Sequence, residues 1–376
     1  MEFLRYICSI LLVALLLSGC TARFYKFPEP GLSEPGLFQS RGNPGGNAQF
    51  DGNTDLPDTM LFERRLNGGI GAQIVGNDLV VVVPTFNKRI YFLAATDGRV
   101  VSTLKTESAV GGAVAIVDEL MYYAEQAGGD RLTCFNLVSG KQVWQAEVFD
   151  PSGAPVVADA DLFIAGRDGT VFRLDRWTGR QIWKTEDESQ IYTTVVADAE
   201  HVYYGNAAGE LVCLARESGD ELWRVATGGA IVASPMVADR LYCGSADGTM
   251  YALDRKSGQI VWSLETAGQI FTTPVLQGNR LFFGSHDRLV YCVDVTRGGL
   301  LWSYDVGAVM TSSPIGVNRH FICASAAGEI FAFTDEGELI GTLQTKEAIV
   351  APLAFINGRL YVGTDSRRIY CFGSSS

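Results

Sequence analysis

The chain has 376 residues, 47% of them hydrophobic and 19% charged, with a formal net charge of −12. That length and apolar content suffice for a large core or one big repeat domain, and they exclude a disordered polyelectrolyte. An acidic chain presents no electrostatic footprint for phosphate backbones, so nucleic acid is set aside as a partner.

The N-terminus reads as an export signal, residues 1–19. Arg5 supplies positive charge, and Ile7 to Leu17 is an apolar run of eleven, too short to span a bilayer as a helix. It ends in Leu17-Ser18-Gly19-Cys20, which resembles a bacterial lipobox. The resemblance implies cleavage before Cys20 and acylation of its sulfur and new amino group. Several acyl chains, at about 0.8 kcal/mol per buried CH₂, make a stable anchor. The alternative is an ordinary signal peptide with a chance cysteine. Thr21 follows the cysteine where the inner-membrane retention signal has Asp, so by resemblance the destination is the outer membrane, with the body in the periplasm or at the cell surface. Residues 20–60, rich in Pro, Gly, Ser and Asn, read as a flexible lipid-anchored tether.

From residue 61 onward the sequence repeats. Trp144, Trp183, Trp223, Trp262 and Trp302 return every 39 or 40 residues, each four residues after a glycine. A period near 40 marks a repeated small sheet. In one unit, Ile231–Val237, Arg240–Gly244, Thr249–Asp254 and Gln259–Leu264 are four β-rich runs separated by turn signals, among them Ala246-Asp247-Gly248 and Lys256-Ser257-Gly258. Four such strands make one propeller blade. The prolines Pro155, Pro235, Pro274, Pro314 and Pro352 fall in first strands, which line a channel and have one free side. The tryptophans fall in fourth, outermost strands, where burying the ring between sheets is worth about 2–3 kcal/mol. Ser102 and Gly341 replace the tryptophan in the first and seventh units, so weaker seams are expected there.

Turn glycines at 98, 140, 179, 219, 258, 298 and 337 count seven blades, and an eighth set of strands then lacks its fourth member. The missing strand is found at the other end of the chain. Residues 61–69 align with 222–229, which puts Phe62 in the tryptophan position. The predicted fold is therefore all-β: an eight-bladed propeller of four-stranded antiparallel blades over 61–376, closed by the N-terminal strand joining the last blade.

The words Tyr251-Ala-Leu-Asp-Arg-Lys-Ser-Gly-Gln-Ile-Val-Trp262 and Phe172-Arg-Leu-Asp-Arg-Trp-Thr-Gly-Arg-Gln-Ile-Trp183 resemble the quinoprotein-type (PQQ-like) propeller repeat. The likeness runs from residue 61 to 373. Combined with a lipobox, it resembles lipoproteins of the outer-membrane β-barrel assembly machinery. That implies a non-catalytic protein-interaction scaffold bound to an assembly complex. The family name also carries an enzyme alternative, a quinone-binding dehydrogenase-like protein. Such enzymes resemble this fold but carry adjacent cysteines, a Glu/Asn/Asp calcium site and a catalytic Asp. This sequence has no Cys-Cys pair and no matching acidic set, so no cofactor and no catalytic residue is assigned.

Other candidates for chemistry are weak. His201, His286 and His320 fall in separate sectors of an eight-membered ring and share no metal. Asp97-Gly98, Asp168-Gly169 and Asp247-Gly248 read as hairpin turns rather than calcium loops. Cys134, Cys213, Cys292 and Cys371 are spaced by 79 residues, with Cys243 and Cys323 one blade over from Cys213 and Cys292. Disulfides Cys213–Cys243 and Cys292–Cys323 stand against buried free thiols, the reading preferred. Hydroxyls at Tyr192, Thr193, Thr194, Ser234, Thr272, Thr273, Thr311, Ser312 and Ser313 are expected on the channel wall, suited to water or a small polar ligand.

Irregular loops point to a partner site. Residues 126–130, 147–153 and 186–188 depart from the repeat and share one face around blades two to four. Phe149 is the candidate aromatic anchor, with Asp150, Asp187 and Glu188 beside it. Trp177 is a further candidate, in a turn on the opposite face.

Overall fold

The computed structural model describes residues 37–38, 46–50, 56–126 and 128–374, so the export signal and Cys20 lie outside the described residues. All regular structure among the described residues is β. The strands form eight antiparallel four-stranded sheets, two of which carry a fifth strand. Blades 1 to 7 follow in chain order, opening with Val75–Gly76, Ala115–Val117, Pro151–Ala158, Val196–Ala197, Met236–Val237, Val275–Gln277 and Ile315–Val317. First strands of most neighbouring blades touch one another and line the channel. The 2–3 turns and the 4–1 connections share one face, here the loop face. The 1–2 and 3–4 turns share the other, the turn face.

Blade 8 consists of Ala354–Ile356, Arg359–Gly363, Arg368–Gly373 and, as its outermost strand, Thr59–Arg65 from the other end of the chain. The register sets Phe62 opposite Cys371, as Trp223 stands opposite Cys213 in blade 4. The ring is closed as the sequence predicted. Ion pairs from Glu63 to Arg368 and Lys346 hold the added strand on its outer face.

The seams between blades repeat one arrangement. Each tryptophan meets an aromatic ring of its own second strand: Tyr122 with Trp144, Phe163 with Trp183, Tyr203 with Trp223, Tyr242 with Trp262 and Phe282 with Trp302. The indole then lies against the turn glycine of the next blade. A Cβ on Gly179 would stand 2.6 Å from Trp144, one on Gly219 2.8 Å from Trp183, and one on Gly298 2.5 Å from Trp262. The indole N–H donates to a carbonyl in the same turn, Trp144 to Arg176 at 2.9 Å and Trp262 to Val295 at 2.8 Å. Those glycines also sit at φ between 68° and 79°, a conformation costly for any residue with a Cβ. Phe62 packs on Gly98 in the same way.

Arginines reinforce the turn face. Arg216 of blade 4 reaches Asp161, Asp159 and the Ala158 carbonyl of blade 3. Arg255 of blade 5 reaches Asp198 of blade 4 at 2.9 Å.

A second use of the N-terminal region is absent from the sequence reading. Within the span read as tether, residues 46–50 run along the inside of the ring. Gly46 sits against Val196 and the Pro235 carbonyl. The Asn47 side chain both donates to the carbonyl and accepts from the amide of Leu276, at 3.1 Å each, imitating a strand partner. Ala48 is fully buried, and Gln49–Phe50 pair in parallel with Gly316–Val317 of blade 7. Leu37–Phe38 pair antiparallel with Ile116–Val117 of blade 2. First strands run from the loop face to the turn face, so the N-terminal end of that pair points to the turn face.

The turn glycines make the seams testable. Gly179→Ala combines positive φ with overlap on Trp144 and should lower stability by roughly 2–4 kcal/mol in chemical denaturation. Gly299→Ala, with nothing within 4 Å of its added Cβ, should stay within about 0.5 kcal/mol. Equal costs for the two would contradict the seam geometry.

Candidate functional site

The irregular loops do converge. Phe149 occupies the blade 2–3 connection, which is shorter than the sequence suggested, because Pro151 and Ser152 already pair with Gly166 and Ala165. The connection is fixed on both sides. The Val148 amide donates to the Asp130 carbonyl at 3.1 Å, the Asp150 amide to Asp130 Oδ1 at 3.0 Å, and the Arg167 amide to the Asp150 carbonyl at 2.9 Å. Asp150 adopts a left-handed φ of 38°, and its carboxylate stands 3.8 Å from Arg167. The Phe149 ring, 60% exposed, therefore projects from a braced support.

Phe86 was missed in the sequence. It lies in the 2–3 turn of blade 1, is 50% exposed, and covers Gly69, Gly71 and Gly111, none of which leaves room for a side chain beneath the ring. Gln126 joins it to the Phe149 loop: its Oε1 lies over Gly111, and its Nε2 donates to the Pro151 carbonyl at 2.9 Å. The signal was present in Thr85-Phe86-Asn87-Lys88, where blades 5 and 6 have Ser-Ala-Asp-Gly and Ser-His-Asp-Arg. Two large rings, braced by glycine-lined backbone, form the apolar part of the loop face over blades 1 to 3.

The acidic candidates separate. Glu188 is exposed, but Asp187 is not available to a partner. Its side chain is 1% exposed, and it accepts hydrogen bonds from Tyr204 at 2.9 Å, Asn206 at 3.1 Å, Arg224 at 3.0 Å and the Ser189 amide at 2.8 Å. Arg224 also binds Glu210 and Glu221, and these charge-assisted bonds, Glu221's first, raise its already high pKa. Asp187 is an internal brace of blade 4. Its place in an irregular acidic loop suggested a partner contact, and the buried network overrides that. Trp177 lies on the turn face, 49% exposed, with the Arg176 guanidinium 4.6 Å above its ring.

A further group is a buried carboxylate under the loop face. Glu125, 3% exposed, accepts from the Glu107 amide at 3.2 Å through Oε1, while Oε2 finds no partner among the described residues. Burial raises its pKa, against the lowering pull of the Glu107 and Ser108 amides.

The channel hydroxyls join blades together. Thr193 and Thr272 donate to the Gly205 and Gly284 carbonyls of their own blades at 3.0 and 2.8 Å. Ser234 accepts from the Thr194 amide at 2.9 Å, Ser313 from the Thr273 amide at 3.0 Å, and Ser312 donates to the Ala351 carbonyl at 3.1 Å, all across seams. His201 binds Asp198, and His286 packs edge-on against Phe271. Among the described residues no three His, Cys, Asp or Glu side chains gather as a metal site. Cys134, Cys213, Cys243, Cys292, Cys323 and Cys371 are free and buried. Burial pushes the thiols of Cys134, Cys213 and Cys292 up to about 12 and that of Cys371 to about 11, so they are unreactive at neutral pH. Cys134, Cys213, Cys292 and Cys371 each stand opposite a seam ring, where a small residue leaves room for it.

Comparison with known proteins agrees with this architecture. A family model described as outer membrane protein assembly factor BamB matches residues 86–206, 189–273 and 265–347. The factor of that name from Nitrosomonas eutropha is 31% identical over 96 residues, 25% of this chain and 23% of that protein. Its counterpart from Yersinia pestis is 25% identical over 164 residues, 40% of this chain and 41% of that protein. The matched stretches thus span between about a quarter and two fifths of these relatives' lengths. Among solved structures, BamB from Moraxella catarrhalis superposes with a TM-score of 0.73 at 19% identity, covering 84% of this chain and 99% of that one. A europium-containing methanol dehydrogenase superposes with a TM-score of 0.75 at 11% identity, covering 92% and 99%. At such identities these two likenesses speak for the fold alone.

Glu125 offers a check on the loop-face support. A carboxyl whose folded pKa is raised costs stability once pH rises past its unfolded value and through the folded one. Glu125→Gln should therefore be more stable than the parent at pH 7.5, by roughly 1 kcal/mol, with the difference vanishing below about pH 4. Urea denaturation at both pH values reads this, and a variant weaker than the parent at pH 7.5 would contradict it.

Proposed function

The chain belongs to the family of the outer membrane protein assembly factor BamB, and from that premise we propose that it is a non-catalytic scaffold of outer-membrane β-barrel assembly. In this reading it is lipid-anchored through Cys20, its body lies in the periplasm, and its loop face binds a protein component of the assembly complex. The observation that carries the reading is the pair Phe149 and Phe86, two exposed rings held by braced backbone on one face. Such pre-organised aromatic anchors supply binding energy with little ordering cost. The orientation of Leu37–Phe38 supports the geometry. A tether leading back from the turn face to the lipid leaves the loop face pointing away from the membrane.

The quinone-dependent alternative, and that of a small polar ligand in the channel, have less support. The inner-strand hydroxyls named above hold backbone groups of their own or the neighbouring blade, and residues 46–50 lie along the channel side of blades 4 to 7. Both features fit a ring used for its outer surfaces.

Capture from detergent-solubilised membranes with the full-length chain tests the proposal. The parent should retain outer-membrane assembly proteins, and Phe149→Ala with Phe86→Ala should reduce capture at least about tenfold, since each lost anchor costs on the order of 1–2 kcal/mol. Unchanged capture by the double variant, or no specific partner for the parent, would overturn it.

A further inference from the structure

Two seams lack the tryptophan, at Ser102 and at Gly341, and the one after blade 7 lacks the rest of the lock as well. In blade 7 the tryptophan position is Gly341, paired with Ala332 as Trp302 is paired with Cys292 in blade 6. The aromatic ring of the second strand is missing as well, because Ile322 stands where blade 6 has Phe282. The next blade has no turn glycine either. Its fourth strand comes from the N-terminal end, so Leu56, Pro57 and Asp58 arrive where the other blades make their 3–4 turn. Asp58 precedes Phe62 by the four residues that separate Gly298 from Trp302. All three parts of the lock are thus replaced in one place, and a cavity of about 200 Å³ remains there. Its walls are Ile322, Ile330, Ala332, Leu343 and Leu360, with Leu56 and Pro57 at the closing side. A Cβ added to Gly341 would meet nothing within 4 Å.

We propose that this slot is a binding site for an aromatic side chain of a partner polypeptide, tryptophan by preference. The shape argument is internal to the molecule, since five equivalent seams hold an indole at the same place in the repeat. The volume agrees, since an apolar cavity of about 150 Å³ in another protein takes up benzene. The chemistry agrees too. The walls are aliphatic, and Asp58 is exposed at the rim, where its carboxylate can accept from an indole N–H. The rim belongs to Leu339–Gln344, the last strand of its sheet among the described residues, so an extended chain has access to the opening. The inference deepens the scaffold reading by naming a feature of the bound polypeptide. It does not depend on Phe149 or Phe86, so the two proposals fail separately.

The test is calorimetric titration of the full-length chain with N-acetyl-tryptophanamide. Saturable binding with a dissociation constant of about 1 mM or tighter is expected, and N-acetyl-leucinamide should bind at least about tenfold more weakly. Gly341→Trp supplies the missing ring in cis. It should abolish binding and raise the denaturation midpoint, while Gly299→Ala, outside the slot, should leave binding unchanged. Should Gly341→Trp not fold, Ala332→Leu fills the slot from its floor and should abolish binding alone. No saturable binding by the parent, equal binding of the leucine compound, or binding that survives a folded slot-filling variant would overturn the proposal.

Discussion

An indole lying against a glycine of the next blade is the interaction on which the ring depends. Neither partner serves its own sheet in this contact. The tryptophan covers an aromatic ring of its own second strand with one face and the neighbouring turn with the other, and its N–H satisfies a carbonyl of that turn. The glycine is required twice over, by a left-handed φ and by the missing Cβ that lets the ring approach. The four-residue spacing between them in sequence therefore couples successive seams: blades 3 to 6 each receive an indole on their turn and offer one to the next. Arginines on the turn face repeat the same directionality with charge.

A chain of such contacts needs an end condition, and the protein meets it with its N-terminal region. Thr59–Arg65 completes blade 8, and Phe62 carries the lock across to Gly98. The cost appears one seam earlier. A strand delivered from elsewhere has no 3–4 turn before it, so blade 7 has no glycine to press against, and its own tryptophan is absent. Closure and cavity are two consequences of the same topological choice. The residues leading to the closing strand also lie inside the ring, along blades 4 to 7. That places the chemically interesting surfaces on the two faces and the perimeter.

Much of this was legible in the sequence, because periodic packing leaves periodic residues. Tryptophan, turn glycine and inner-strand proline each recur near 40 residues, and the missing fourth strand of blade 8 could be matched to residues 61–69 by the same words. Features without a period were harder to read. Asn47 substitutes for a strand with its side chain, and a Gly-Asn-Pro composition reads as tether whether or not it is docked. Asp187 looked solvent-facing because its four donors come from residues 2, 17, 19 and 37 positions away. Phe86 departs from the repeat at its turn position, but its role shows once the glycines under it are placed together in space. The buried free thiols fit the preferred reading of the cysteines, and the reason is steric, since four of the six flank a seam ring.

The most direct test of the lock is a pair of double-mutant cycles on Trp262, each read by equilibrium denaturation. Trp262→Leu is combined with Gly298→Ala, its partner across the seam, and separately with Gly258→Ala, its neighbour in sequence. The account predicts a coupling energy above about 1 kcal/mol for the first pair and within about 0.5 kcal/mol of zero for the second. Coupling that appears with Gly258 and is absent with Gly298 would mean that the repeat's glycine and tryptophan act within one blade, and the account of how the ring is held would be wrong.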